Sequence, residues 1–362
     1  MEETIKALLY LVRVGLLADA RREELPARVD WPAVFSLSLR HGVGALAADG
    51  LQKLQKEAGE TEAFAALKAP AVRMQLMQWV GGAMKTGQIA ERQEMLAREL
   101  ADVFAQHGLR TVVLKGMALS RCYPHPKYRY SCDLDCFLLP DHQAAFEEGN
   151  RVAEGLGLKV DRDFYKNSTF VYKGLMVENH QFCTPIRGNR RMKRFEQRLE
   201  DLLERPTTIV DGAHLELPDP LFTALFITEH AQAHMLENAF SLKQVCDWAV
   251  FRRQNFDKAE FERLCREFGY WKMAVAMDHL ADLLEGSRDF SSLSVYEKRL
   301  LFSIFEESSA VEMNNGWKTR VQLVRHALKN SWKYKAFTDT SMLAGVGRQV
   351  LGFLFDRKPS IH

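Results

Sequence analysis

The chain has 362 residues, 47% of them hydrophobic and 27% charged, which suits two or three packed subdomains and excludes collagen-like, disordered and disulfide-scaffold classes. Lys and Arg number 49 against 47 Asp and Glu, leaving a net charge of +2, so any polyanion must be met by a local patch rather than by bulk charge. The apolar stretch near the N-terminus is broken by Arg13, no window is long and apolar enough to span a bilayer, and the cysteines lack C-x-x-C spacing. A cytoplasmic protein with reduced thiols is expected.

Residues 1–107 read as a helical region. Asp30-Trp31-Pro32 supplies a cap and an early proline for a helical segment from Ala33 to Leu54. In the last helix of this region Ile89, Leu96, Leu100, Val103 and Phe104 share one face, and His107-Gly108 ends it. From 108 to 217 the period shortens. Strand-like runs are expected at Thr111–Leu114, Cys132–Leu139, Leu158–Val160, Thr169–Tyr172, Leu175–Phe182 and Thr207–Val210, with one helix over Asp141–Leu156 and a hairpin turn at Lys173-Gly174. After Pro218-Asp219-Pro220 the pattern is helical to residue 362, interrupted near 286 and 315. The fold class is therefore α+β: a small mixed sheet in a core over 108–217, flanked by helical regions over 1–107 and 218–362.

The stretch richest in chemistry is Leu114-Lys115-Gly116, then Arg129, then Cys132-Asp133-Leu134-Asp135-Cys136. Alternate residues of a strand share a face, so Asp133 and Asp135 project together while Cys132, Leu134 and Cys136 point the other way. Paired carboxylates in an otherwise apolar strand are costly unless a cation answers them, and Mg²⁺ suits such oxygen ligands together with substrate phosphates. An exposed strand face, or ion pairing with Lys115 and Arg129, is the alternative. Glu178, on one strand face with Met176 and His180, is the third acid. Asp161-Arg162-Asp163 has the same spacing but sits among polar residues and reads as a decoy.

Val113-Leu114-Lys115-Gly116, Tyr123-Pro124, Arg129 and Asp133-Leu134-Asp135 together resemble the signature of the uncharacterised nucleotidyltransferase family, within the DNA polymerase β-like nucleotidyltransferase superfamily. Val177-Glu178-Asn179-His180 resembles its acidic third-strand motif, and His230, His234, Lys243 and Asp247 its helical segment. Asp30-Trp31 to His41-Gly42-Val43 resembles its N-terminal region. The resemblance implies metal-dependent transfer of NMP from an NTP such as ATP to an acceptor hydroxyl, with release of pyrophosphate. Asp133, Asp135 and Glu178 would be catalytic and hold Mg²⁺ or Mn²⁺; Lys115, Gly116, Arg129, Ser120 and Lys243 would contact the nucleotide. The wider superfamily places serine directly after the glycine. Here Met117 stands there, with Ser120 a turn later.

His230 and His234, a helical turn apart, read as packing or substrate-wall residues before a zinc pair. Lys243 and Asp247 read equally as an ion pair and as substrate contacts. Arg187, Arg190, Arg191, Lys193, Arg194 and Arg198 form a basic cluster, read first as a solvated helix face answering Glu196, Glu200 and Asp201, and second as an anion site. The apolar stripe Val321, Val324, Leu328 and Trp332 reads as helix packing, and Gly345-Val346-Gly347 lacks the context of a dinucleotide loop. The leading expectation is a metal-dependent nucleotidyltransferase whose acceptor is a protein, an RNA, a sugar or a small molecule. A non-catalytic scaffold of the same fold is the alternative.

Overall fold

The structure, a computed structural model, describes residues 2–17, 25–26, 28–58, 61–129, 131, 133–186, 190–205, 208–210, 212–305 and 330–339. Arg187, Cys132, the interruption near 315, Val321, Val324, Leu328 and the Gly345–Gly347 stretch lie outside them. No described helix is long and apolar enough to cross a membrane.

Helices α1 (Glu2–Leu16), α2 (Trp31–Arg40), α3 (Gly44–Ala58), the short α4 (Glu62–Ala65) and the long α5 (Pro70–Gln106) form the N-terminal region. Asp30 caps α2 as expected, its side chain accepting from the Ala33 amide. The expected segment Ala33–Leu54 is divided, because Gly42 takes a left-handed φ of 66° and turns the chain between α2 and α3. The apolar face of α5 is as expected at Leu96, Leu100 and Phe104, which are buried.

Six strands make one mixed sheet in the order β3-β4-β2-β1-β6-β5. They are β1 (Arg110–Val113), β2 (Asp133–Leu139), β3 (Asn167–Tyr172), β4 (Leu175–His180), β5 (Thr208–Ile209) and β6 (Leu215–Leu217). β2 is central, antiparallel to β1 and parallel to β4, which explains its near-continuous apolar run. Lys173 and Gly174 both have positive φ, as the tight turn between β3 and β4 requires. Leu158–Val160 is not a strand: only an isolated bridge from Asp161 to Thr169 forms beside it. β6 was not expected, being three residues long and buried by a parallel pairing with β1.

Between the strands lie α6 (Met117–Ser120), α7 (His142–Gly155) and α8 (Arg190–Leu203); α9 (Pro220–Glu237), α10 (Leu242–Phe251), α11 (Lys258–Phe268), α12 (Trp271–Glu285), α13 (Val295–Phe305) and α14 (Ser331–Phe337) follow. The two sheet faces have different neighbours. Leu134, Cys136 and Leu138 pack with Leu96, Leu100 and Phe104 of α5 and Ala145, Val152 and Ala153 of α7. Phe137 and Leu139, on the face of Asp133 and Asp135, join a core shared by N-terminal and C-terminal helices, including Leu11, Phe222 and Phe226. Arg13 of α1 donates to the carbonyls of Leu284 and Leu283 at the end of α12, so the two helical regions close on each other over the acid-bearing face.

Candidate metal and nucleotide site

The register of β2 against β4 sets Asp135 beside Glu178 and Asp133 beside Met176. Side chains of paired residues share a face, so β4 carries Glu178 and His180 alongside the two aspartates. One ligand atom from each of Asp135, Glu178 and His180 lies within 4.8 Å of the others. His180, whose position on that face was legible but which was given no role, is thus the third member of the cluster. Asp133 stands further along β2, half-buried, at the edge of a cleft of about 270 Å³.

Asp135 is 1% exposed. Its Oδ1 lies 3.0 Å from Lys115 Nζ and 3.1 Å from His180 Nε2, while Oδ2 is buried without a hydrogen-bond partner. Burial would raise this carboxyl, but Lys115 and His180 overcome it and hold it well below the usual carboxylate range. Asp133 moves the other way, raised by burial and by the charge of Asp135. Lys115 is disfavoured by burial, yet Asp135, Asp133 and Glu178 raise it. His180 Nδ1 is 3.2 Å from the Phe182 carbonyl, which can only accept, so Nδ1 carries a proton. Nε2 faces Asp135 and, at 3.4 Å, Glu178 Oε2. Burial opposes charge on this ring, and the two carboxylates raise its pKa regardless.

The cleft is bounded by Gln93 and Glu94 of α5, Met117 and Ser120 of α6, Arg129 and Ser131. Gly116, with φ 61°, opens α6, and a Cβ there would come within 2.7 Å of Ser131 Oγ. The hydroxyl beside this glycine therefore comes from Ser131, which also donates to the backbone oxygen of Asp133 at 3.1 Å. Ser120 borders the cleft but donates to the Met117 carbonyl. Sequence reasoning passed over Ser131, fifteen residues beyond the glycine.

Arg129 also lines the cleft, with its guanidinium committed to α10: Nε and Nη2 reach the two oxygens of Asp247 at 3.0 and 2.8 Å. The Tyr123 hydroxyl donates to the same carboxylate at 2.6 Å. Asp247 thus pairs with Arg129, and its pKa is lowered because that cation outweighs burial. Lys243, one turn earlier, lies over the α2–α3 turn, where a Cβ on Gly42 would be 3.3 Å from its Cδ, and its charge is felt by Asp133.

On α9, His230 and His234 bond to each other, Nε2 to Nε2 at 2.9 Å, with Phe226 stacked on His230. Burial, followed by the charge of Lys115, keeps His230 neutral. Among the described residues they join no metal-ligand cluster of three. In α8, Arg198 pairs with Glu260, Arg191 lies 3.8 Å from Asp339, and Arg190, Lys193 and Arg194 are exposed. Glu196, read as part of the charge answering this cluster, instead points inward at 3% exposure. Asp161 and Arg162 are surface residues, Asp161 accepting from the Asp163 amide and Arg162 paired with Glu147 and Glu154.

The residues fit a divalent cation: two carboxylates and an imidazole converge, and one buried carboxylate oxygen still lacks a partner. A sequence model of one protein family, described as uncharacterised nucleotidyltransferase, matches residues 27–286. No curated protein and no solved structure gives a significant match.

Proposed function

This chain belongs to the uncharacterised nucleotidyltransferase family, and on that premise we propose that it transfers NMP from an NTP to an acceptor hydroxyl with release of pyrophosphate. The observation that carries this reading is the buried Asp135 carboxylate, with Oδ2 unbonded, gathered with Glu178 and His180 beside a cleft that Asp133 borders. Asp135, Glu178 and His180 would hold Mg²⁺ or Mn²⁺, with Asp133 as the ligand nearest the cleft. When bound, such an ion neutralises phosphate charge and favours in-line displacement at the α-phosphorus.

The chain's own residues have separable roles in this proposal. Gly116 lets the backbone approach the phosphates, and Ser131 offers a hydroxyl beside it. Lys115 balances the acidic cluster from within the site. Arg129, fixed by Asp247 and Tyr123, would contribute a wall of the cleft whose orientation is set before substrate arrives. Ser120 and Lys243 border the nucleotide. The acceptor hydroxyl would enter along the cleft edge that Asp133 borders.

Incubation with each α-labelled NTP, Mg²⁺ and pooled acceptors tests the proposal. Label transfer by the wild-type chain, reduced about 100-fold or more in Glu178→Gln, is expected. Undiminished transfer by that variant would refute the assignment. A folded wild-type chain that binds neither metal nor NTP would favour the scaffold.

A further inference from the structure

Glu196 sits in the middle of the apolar face of α8, among Phe195, Leu199, Leu202 and Leu203, and is buried. A carboxylate in such a place costs several kcal/mol unless its oxygens are satisfied. Here both are: Oε1 accepts from the Cys183 amide at 2.6 Å, and Oε2 from the Thr184 amide and hydroxyl at 2.8 and 2.6 Å. All three donors belong to the loop that leaves β4 immediately after His180.

The preceding half of that loop is held from the other side. The amides of Gln181 and Phe182 both donate to the Lys166 carbonyl, at 2.8 and 3.0 Å. Four successive amides, 181 to 184, are therefore committed, two to β3's leading end and two to Glu196. With the loop fixed at both ends, the Phe182 carbonyl is left facing His180 Nδ1 at 3.2 Å. That bond sets the ring plane and directs Nε2 at Asp135 and Glu178.

We infer that Glu196 is a positioning residue for the metal site, acting through the Cys183–Thr184 amides and the Phe182 carbonyl to orient the His180 imidazole. This rests on the metal-site reading proposed above and adds to it a residue on a different element. If Glu196 only anchored α8 to the sheet, its loss would lower stability and leave the imidazole and metal affinity as they were.

The test uses the full-length chain and two readouts. Without metal, the His180 Nδ1 proton, identified by its absence in His180→Ala, is followed by NMR; in Glu196→Gln it should broaden or exchange at least tenfold faster. With Mn²⁺ as probe, wild type should bind, and His180→Ala and Glu196→Gln should each weaken binding about 10- to 100-fold. Glu297→Gln, which disturbs another buried carboxylate, bonded to Ser294 and His279, serves as the stability control and should bind like wild type. Thr184→Val, removing one donor of the three, should give a smaller loss in the same direction and covers the case in which Glu196→Gln does not fold. An unchanged His180 proton in Glu196→Gln, or Mn²⁺ affinity within twofold of wild type while His180→Ala is impaired, would overturn the inference. Equal Mn²⁺ binding by wild type and His180→Ala would instead remove the metal-site reading on which it rests.

Discussion

Asp135 carries more of the site than any other residue, because it is both a proposed ligand and the counterion of a half-buried lysine. Replacing it with Asn removes the charge that Lys115 faces at 3.0 Å, so Asp135→Asn should lose about 3 kcal/mol of stability in denaturant unfolding as well as metal binding. Glu178→Gln is the cleaner probe, expected to lose metal affinity with an unfolding midpoint near wild type. Glu229 on α9 gives a separate test. Burial raises its pKa to about 7 from an ordinary value near 4.5. The folded state then holds the proton more tightly than the unfolded chain, so stability present below pH 4.5 is lost as pH rises through 7. Glu229→Gln should therefore be more stable than wild type by up to about 3 kcal/mol at pH 8, with little difference at pH 4. Equal differences at both values would show that Glu229 is not a buried, protonatable group.

Two elements set the cleft, and both depend on contacts that a linear reading reaches unevenly. The Gly116 turn needs a left-handed residue and has Ser131 against it, so Gly116→Ala should cost about 1 kcal/mol in backbone strain and displace the hydroxyl. NTP affinity should fall more than stability does; parallel losses would count against a phosphate-facing role. At α10, Asp247→Ala would remove the carboxylate that answers the buried Arg129 guanidinium and should destabilise by about 3 kcal/mol. β2 and the apolar face of α5 were legible because each repeats one period over enough residues to be distinctive. The fused α2–α3 segment and the absent Leu158–Val160 strand were not, since a single left-handed glycine and a pairing partner decide them. His180 was visible by alternation with Glu178. Glu196 was visible too, since Glu196, Leu199 and Leu203 follow i, i+3, i+7, but its charge outweighed its spacing in the reading. Arg129 and Asp247, 118 positions apart, have no sequence signal linking them.

Over the whole molecule, the N-terminal and C-terminal helices share one core across the acid-bearing sheet face, and buried titratable groups lie within it. His41, at the end of α2, is packed edge-on against Phe305 of α13 with ring centroids 5.0 Å apart. Burial, with Arg40 beside it, lowers its pKa from 6.5 to about 4. Its contribution has the opposite sign to that of Glu229: stability is full above pH 6.5 and is lost as pH falls through 4. The two slopes oppose each other between pH 4.5 and 6.5. His41→Phe should therefore make the change in stability with pH more negative across that window than it is in wild type. An unchanged slope in that variant would remove His41 from the account. The placement of the helices also bears on function, because they close over the face on which Asp133, Asp135, Glu178 and His180 stand. The most direct measurement is equilibrium binding of NTP to the full-length chain with and without Mg²⁺, in wild type and Glu178→Gln. Saturable binding that requires Mg²⁺ and weakens at least tenfold in the variant is the predicted result; NTP binding that ignores both the metal and Glu178 would contradict the account.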